Sequence, residues 1–188
     1  MSAPVSAVLL ASGLSRRYGS NKLLAQVDGL PLYRRAFAAL PAPLFHRAAV
    51  VSCYDEILLA AEGAGYLPVL NPAPEEGQSL SLRLGLEAVA EGAAAVLFSV
   101  CDQPRLTRES VQALLSAYQA QPGSITALSH RGRRGNPVIF PAPYFPELMA
   151  LTGDTGGAPI LRAHPEALRL VEAVSPEELE DMDVPLHP

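Results

Sequence analysis

The chain has 188 residues, 49% of them hydrophobic and 18% charged, which is enough apolar sequence for one well-buried core. Its formal net charge of −5 argues against a nucleic-acid polymer as partner, because surfaces that bind such polymers are normally basic. No apolar run approaches the ~20 residues of a membrane span, and the start of the chain lacks the charged leader of a signal peptide. We therefore expect a cytoplasmic, soluble protein folded as a single domain over residues 1–188.

Strand and helix patterns alternate along the first half of the chain. An apolar run at residues 5–10 leads into a glycine-bearing loop, as is typical of a buried parallel strand. Pro31 then stands at a favoured first helical position. The next predicted elements are a strand at residues 48–52, a helix around residues 57–61, a strand at residues 66–70, a helix from Ser79 or Ser81, and a strand at residues 93–100. Either serine could cap its helix, and the last strand, the most hydrophobic, should be central to a mainly parallel sheet.

The second half adds a β-hairpin and shorter helices. Thr107 is the predicted N-cap of another helix, and residues 125–128 predict a strand. Residues 129–140 turn through glycines and arginines into a further β run, which predicts a hairpin appended to the sheet. The remaining predicted elements are helices at residues 143–151 and up to Arg162, with GDTGG between them, and a strand at residues 167–171. Together these patterns predict an α/β fold of three layers, with helices on both faces of a mainly parallel sheet.

The most unusual stretch is LLASGLSRRYGSNKLL at residues 9–24. It carries three cations, Arg16, Arg17 and Lys22, and Lys22 is the only lysine in the chain. Backbone amides and cations in a loop after a strand can face one anion, which suggests a nucleotide site. The loop is not a Walker A motif, because five residues separate its two glycines, and the glycines of the dinucleotide fingerprint are absent. A solvated surface loop is the alternative interpretation.

Asp102 follows the predicted central strand. It should therefore face the same crevice as the cationic loop, at the carboxyl edge of the sheet. A carboxylate there can hold Mg²⁺, although a lone aspartate after a strand is commonly a turn former or a helix cap. Nucleotidyl transfer needs this combination, because negative charge must be neutralised while an acceptor phosphate attacks the α-phosphorus and pyrophosphate leaves. Candidates for a second carboxylate are Asp183, Asp181 and Asp154, and each of them could equally be a surface charge.

Other polar groups have less specific patterns. Arg131, Arg133 and Arg134 fit a solvated hairpin tip, which we favour, or a contact to an anionic acceptor. The glycines around Asp154 could form an amide-lined anion pocket. The two cysteines lack metal-ligand spacing and are expected to be reduced, buried thiols, and the four histidines show no ligand spacing either.

Five short motifs follow one another along the chain. LASGLSRRYGSNK at residues 10–22 is followed by GQSLSLRLGL, CDQP, GNPVIF and GDTG, over nearly the whole chain. With these motifs the chain resembles the MobA-like nucleotidyltransferases, whose opening motif is LAAGxSxRMGxxK, and among them the molybdenum cofactor cytidylyltransferases. The resemblance implies a Rossmann-like fold of the nucleotide-diphospho-sugar transferase type.

The resemblance also implies a role for each matched residue. Arg17 and Lys22 would hold the triphosphate, and with Asp102 they would form the catalytic set. The implied nucleotide-binding residues are Leu10, Ala11, Ser12, Gly13, Arg17, Lys22, Gly77 and Ser79. The implied Mg²⁺ ligands are Asp102 and Asp183, and the implied acceptor-binding residues are Asn136, Asp154 and Gly156.

Two departures from the family pattern concern the acceptor side. The family usually has GDxGAR, but Ala158 occupies the arginine position here, and Arg162, one helical turn later, could compensate. The family's closing DIDTPEDL is DMDVPLHP, which keeps Asp183 and Pro185. The nucleotide half of the pattern is intact.

We therefore expect an Mg²⁺-dependent nucleotidyltransferase that moves CMP or GMP from an NTP to a molybdopterin-type phosphate, with release of pyrophosphate. LASG resembles the cytidylyltransferases' LAAG more than the guanylyltransferases' LAGG, which favours CTP. The alternatives are a related transferase with a sugar- or alcohol-phosphate acceptor, and a nucleotide-binding cofactor chaperone without turnover. The resemblance also suggests a molybdoenzyme or its chaperone as protein partner, whereas the net charge and the short apolar runs argue against nucleic acid and a membrane as partners.

Overall fold

The computed structural model describes residues 3–14 and 21–182. The strands in these ranges are β1 (Val5–Ala11), β2 (Gln26–Val27), β3 (Leu30–Pro31), β4 (Ala48–Ser52), β5 (Leu67–Leu70), β6 (Ala95–Val100), β7 (Ile125–His130), β8 (Arg133–Pro141) and β9 (Leu168–Glu172). The α-helices are α1 (Leu32–Ala39), α2 (Asp55–Gly63), α3 (Gln78–Val89), α4 (Arg108–Ala120), α5 (Phe145–Met149) and α6 (Ala158–Ala163). Short 3₁₀ turns connect several of them, among them Lys22–Leu24 and Pro176–Leu179. No helix in the described ranges is both long and apolar enough to cross a membrane.

The described strands form one seven-stranded sheet in the order β5-β4-β1-β6-β8-β7-β9. β1 pairs in parallel with β4 and β6, so that Leu9 lies between Val50 and Ser99. β8 runs antiparallel between β6 and β7, and β9 is parallel to β7. The mainly parallel α/β fold with β6 at its centre is confirmed. The predicted hairpin is confirmed as β7 and β8, but it lies inside the sheet, because β9 pairs beyond it.

Helices cover both faces of this sheet. Along β1 and β4, alternate residues enter two different cores: Leu9 and Val50 pack on the side of α1, α2 and α4, whereas Val8 and Val51 pack on the side of α3, α5 and α6. Because both faces are buried, the strand sequences are continuously apolar and do not alternate with polar residues. The three predicted layers are therefore present. The carboxyl ends of β1, β4, β5 and β6 meet at one edge of the sheet.

The start of α3 differs from its prediction. The helix begins at Gln78, so Ser79 and Ser81 lie inside it, both buried, and neither is its N-cap. The first free amide of the helix, Gln78 N, instead donates to Asp154 Oδ1 over 3.2 Å. A carboxylate from a distant loop thus takes the place of the local serine cap, and its charge suits the helix N-terminus. The predicted cap of α4 is confirmed, because the Thr107 side chain accepts from Ser110 N.

A small hairpin formed by β2 and β3 was not predicted. Its turn residues, Asp28 and Gly29, have φ angles of 50° and 80°. Two successive positive φ angles belong to the two-residue turn that Asp-Gly favours, so the dipeptide was the available signal. Asp28 also accepts from Arg105 over 3.0 Å and lies 3.3 Å from Arg35. The hairpin is therefore tied to the loop that follows β6.

Candidate functional site

A cleft at the carboxyl edge of the sheet, called here the main cleft, has a volume of about 590 Å³. It opens where β1 and β6 end and where α3 begins. The main cleft is lined by Leu10, Ser12, Gly13, Leu14, Lys22, Leu23, Pro74, Glu75, Gly77, Gln78, Ser81, Val100, Cys101, Asp102 and Asp154. In an open α/β sheet this edge, beside the point where strand order reverses, is the usual place for a ligand.

Lys22 and Asp102 form an ion pair in the main cleft. Lys22 Nζ lies 2.6 Å from Asp102 Oδ2, and the two side chains are only 16% and 18% exposed. Asn21 positions the lysine, because its side chain accepts from Leu23 N and so caps the turn at Lys22–Leu24. The structure thus brings together two residues that lie eighty positions apart in sequence. Arg17 and Asp183, also predicted for this site, lie outside the described residues.

The other oxygen of Asp102 has no described partner. Asp102 Oδ1 is buried and accepts no hydrogen bond from the described residues. Buried carboxylate oxygens are almost always satisfied, so this atom indicates a site for a further donor or a cation. Mg²⁺ typically takes one or two carboxylates together with substrate phosphates and water. Asp102 can serve as one such carboxylate ligand. In the described ranges, no group of three or more acidic, histidine or cysteine side chains could hold a metal by itself.

The end of β4 holds the loop that follows β1. Ser52 Oγ donates to Ala11 O over 2.9 Å, and Tyr54 OH donates to Gly13 O over 2.9 Å. In return, Ser12 Oγ donates to Val51 O over 3.2 Å. These bonds fix the path of the backbone from the end of β1 to Gly13. Ser52 and Tyr54 were not among the predicted site residues, although their position after a neighbouring parallel strand was a signal for them.

Neither cysteine near the site is suited to act as a nucleophile. Burial raises the pKa of the Cys53 thiol, and a weaker opposing effect comes from its contact with Tyr54. Burial also raises the pKa of Cys101, and the neighbouring Asp102 carboxylate raises it further. Both groups therefore stay protonated at neutral pH, whereas the thiolate is the reactive form.

Gly77 is fixed by close contact with the GDTGG loop. Its φ is +94°, and a Cβ at this position would lie 2.5 Å from Asp154 N. The same contact includes the bond from Ser79 N to Gly153 O, 3.2 Å long. Only glycine combines this φ with so close a backbone approach. Of the predicted nucleotide-binding residues, Leu10, Ser12, Gly13, Lys22 and Gly77 line the main cleft, whereas Ala11 and Ser79 are buried and do not.

A second cavity, of about 260 Å³, adjoins the main cleft, and both are lined by Leu10, Gln78 and Val100. The remaining residues that line it are Leu82, Phe98, Ser99, Arg134, Gly135, Asn136, Val138, Phe140, Gly156, Gly157, Ala158 and Leu161. Two of the predicted acceptor residues, Asn136 and Gly156, are here, and the third, Asp154, lines the main cleft instead. Arg162 is exposed and does not line this cavity.

The loop after β6 is held from two sides. Arg35 Nε, on α1, donates to Pro104 O over 2.8 Å. On the other side, Met182 N donates to Asp102 O over 2.8 Å, and Gln103 Nε2 donates to Asp181 Oδ1 over 3.1 Å. Asp181, considered above as a metal ligand, thus binds a neighbouring amide. The segment at residues 175–182, called here the tail, therefore fixes the backbone of Asp102.

Glu178 anchors the tail. It is 1% exposed, and its two oxygens accept four hydrogen bonds. Oε2 accepts from Thr107 N and Thr107 Oγ1, at 3.0 and 2.9 Å, and Oε1 accepts from Ser110 Oγ and Ser175 N, at 3.0 and 3.2 Å. Glu178 was not among the predicted site residues, because an acidic residue among three others in a short tail is typical of a solvated surface.

A family model described as the MobA-like NTP transferase domain matches residues 7–168. The chain belongs to this family. The match includes both sides of the main cleft, so the Lys22–Asp102 pair lies within a nucleotidyltransferase domain. The MobA-like resemblance seen in the sequence is therefore confirmed.

Proteins similar to this MobA-like chain are named for different functions. It is 30% identical to the purine catabolism protein PucB of Bacillus subtilis over 95% of this chain and 91% of that protein. It is 33% identical to a probable molybdenum cofactor guanylyltransferase of Deinococcus radiodurans, over 66% of this chain and 61% of that protein. A solved nucleotidyl transferase from Methanothermobacter has the same fold, with a TM-score of 0.80 at 24% identity over 96% of this chain and 92% of that one.

Proposed function

We propose that this nucleotidyltransferase transfers a nucleotide, CMP in preference to GMP, from an Mg²⁺-bound NTP to a pterin that bears a phosphate. The observation that carries the proposal is the Lys22–Asp102 pair, in which one carboxylate oxygen contacts the ammonium at 2.6 Å and the other is buried without a described partner. The pair supports the proposal because an ammonium, which can bind phosphate, and a carboxylate, which can bind a metal, line the same cleft.

The residues have separate tasks in this reaction. Lys22 binds the triphosphate, and Asp102 would hold the metal, which would withdraw charge from the phosphates. An acceptor phosphate oxygen forms a new bond to the α-phosphorus, and the bond from the α-phosphorus to the bridging oxygen breaks, so that pyrophosphate leaves with its electrons. An ionised phosphate oxygen carries no proton to be removed, so no general base is required. Asp183 is the proposed second carboxylate, because it follows Met182, whose amide is bonded to Asp102 O.

Two substitutions test this assignment. We expect Lys22→Ala and Asp102→Asn each to reduce the rate of pyrophosphate release with Mg²⁺ by about 10²–10³-fold, the usual effect of removing a transition-state electrostatic contact. Asp55→Asn, an exposed aspartate at the start of α2, is the matched control and should keep wild-type activity. Unchanged turnover in both cleft variants would refute the proposal.

The preference for CTP depends on Ser12. Its hydroxyl donates to Val51 O, which holds the side chain in the wall of the main cleft. In the LAGG pattern a glycine would stand here and leave room for a larger base, so the side chain supports a pyrimidine. GTP is the second candidate, because a curated relative is named a guanylyltransferase.

Calorimetric titration with Mg²⁺ and either CTP or GTP separates these two candidates. We expect tighter binding of CTP, and a smaller preference in Ser12→Gly than in Ser12→Ala, which keeps the Cβ. Tighter binding of GTP by the wild-type protein would reverse the base assignment and leave the reaction class unchanged.

The acceptor is tested by product formation. Release of pyrophosphate with molybdopterin, and not with sugar or alcohol phosphates, is the expected result. Binding of NTP without pyrophosphate release on any of these acceptors would favour a cofactor chaperone instead.

A further inference from the structure

The structure separates the three arginines of the β7–β8 hairpin. Arg131 forms part of the turn, with a φ of 48°, and its backbone N donates to Glu172 Oε1. Arg133 is exposed and pairs with His130 across the hairpin. Arg134 is half-buried and lines the second cavity. The preferred interpretation of a solvated tip therefore applies to the first two, and the structure favours the alternative for Arg134.

Arg134 is a charged residue with no opposite charge among the described residues that line this cavity. Of the described residues that line it, Arg134 alone has a charged side chain, and the rest of the lining is about equally polar and apolar. No described residue forms a hydrogen bond or ion pair with the Arg134 side chain. A guanidinium in a cavity whose described lining holds no opposite charge favours an anion, and its planar fork matches two oxygens of one phosphate.

The cavity also explains how this chain can lack the arginine of the family's GDxGAR pattern. Ala158, at that position, lines the same cavity as Arg134. Arg134 on the hairpin therefore supplies a cation to the lining of this cavity, whereas Ala158 on α6 supplies only a methyl group. The exposed Arg162 does not line it, so the compensation considered above does not come from one helical turn further along α6.

We infer that Arg134 binds the phosphate of the acceptor in the second cavity. This inference rests on the proposed function, and it assigns the substrate class of that cavity: a small phosphomonoester. The volume of about 260 Å³ is just below the range of about 300–1,000 Å³ that is usual for small-molecule sites, so the cavity suits a small acceptor. The cavities share Leu10, Gln78 and Val100, so an acceptor held by Arg134 adjoins the nucleotide.

The first experiment measures kinetic constants with molybdopterin and Mg²⁺-CTP. We expect Arg134→Gln to raise the KM for molybdopterin by about tenfold or more, since a charge-assisted contact is lost, and to leave the KM for CTP within about twofold. Arg134→Lys should recover part of the loss, and Arg133→Gln, the exposed neighbour, should match the wild type. An unchanged molybdopterin KM, or an equal rise in both KM values, would overturn the inference.

A second experiment does not depend on turnover. Calorimetry with phenyl phosphate and with phenol measures binding of a flat phosphomonoester and of its uncharged counterpart. The wild-type protein should bind phenyl phosphate more tightly than phenol, and Arg134→Gln should remove that difference. If molybdopterin accepts no nucleotide but this pattern holds, the pterin assignment fails and the role of Arg134 stands. If the wild type and Arg134→Gln bind phenyl phosphate equally tightly, or if the wild type does not bind it, the role of Arg134 is overturned.

Discussion

Replacing Glu178 with glutamine tests how much the carboxylate that anchors the tail contributes to the free energy of unfolding. The carboxylate accepts four hydrogen bonds, two at each oxygen. A glutamine of the same shape keeps one oxygen and turns an NH₂ group toward the other pair of donors. Each pair contains one backbone amide, Thr107 N or Ser175 N, and one hydroxyl. A hydroxyl can rotate and accept from the NH₂ group, but a backbone amide cannot.

Either orientation of Glu178→Gln therefore leaves one partly buried backbone amide, facing a buried side chain, without an acceptor. An unsatisfied buried group of this kind lowers the free energy of unfolding by roughly 1–3 kcal/mol. For a chain of this length, about 1 kcal/mol corresponds to about 2–4 °C in Tm, so the midpoint should fall by about 2–12 °C.

Thermal unfolding followed by circular dichroism measures this effect, with Glu180→Gln as the matched control. Glu180 lies in the same tail but is exposed, and a surface substitution normally changes the free energy of unfolding by less than about 0.5 kcal/mol. A shift of less than about 1 °C in Glu178→Gln would show that the four hydrogen bonds do not stabilise the fold as described. Because the tail also fixes the Asp102 backbone, we expect the variant to need more Mg²⁺ for half-maximal pyrophosphate release.

Three further outcomes follow from glycine contacts and from thiol burial. Gly77→Ala forces a Cβ against the GDTGG loop at a positive φ, so we expect it to lower the free energy of unfolding by at least about 1–3 kcal/mol in urea titrations and to weaken NTP binding. Gly85→Ala places a Cβ 2.3 Å from Val8 Cγ1 and should destabilise by about 1–3 kcal/mol, whereas Gly63→Ala, which meets open space, should not. Because the pKa of Cys53 is raised, less thiolate is present at pH 8 than in a free cysteine. Iodoacetamide should therefore alkylate Cys53 more slowly than it alkylates glutathione, and a faster reaction would contradict the raised pKa.

Much of the fold could be predicted because both faces of the sheet are buried. Continuous apolar runs of strand length, separated by helical patterns, indicate parallel strands, and parallel strands end at a common edge. That rule was sufficient to place Lys22 and Asp102 together. The hairpin could also be predicted, but its place inside the sheet could not, because the pairing of β9 with β7 leaves no local signal.

The parts of the site that escaped prediction depend on contacts between distant segments. The cap of α3 comes from Asp154, 76 residues away from Gln78, so the local serines were misleading. Glu178 resembles a surface acid until its four donors are known. The three hairpin arginines are equivalent in sequence, and only their positions in the hairpin separate the turn residues from Arg134.

The tail also affects when the site is completed during folding. The hydrogen bond that Glu178 accepts from Thr107 and the one that Met182 donates to Asp102 join residues 71 and 80 positions apart, and the tail residues are synthesised after the whole sheet. During synthesis these bonds cannot form until the tail has been made, when every strand of the sheet is already available. A nascent chain can therefore have its sheet and the strand leading to Asp102 before the loop bearing that carboxylate is fixed. Nucleotide-transfer competence should then appear as one of the last events in the maturation of this protein.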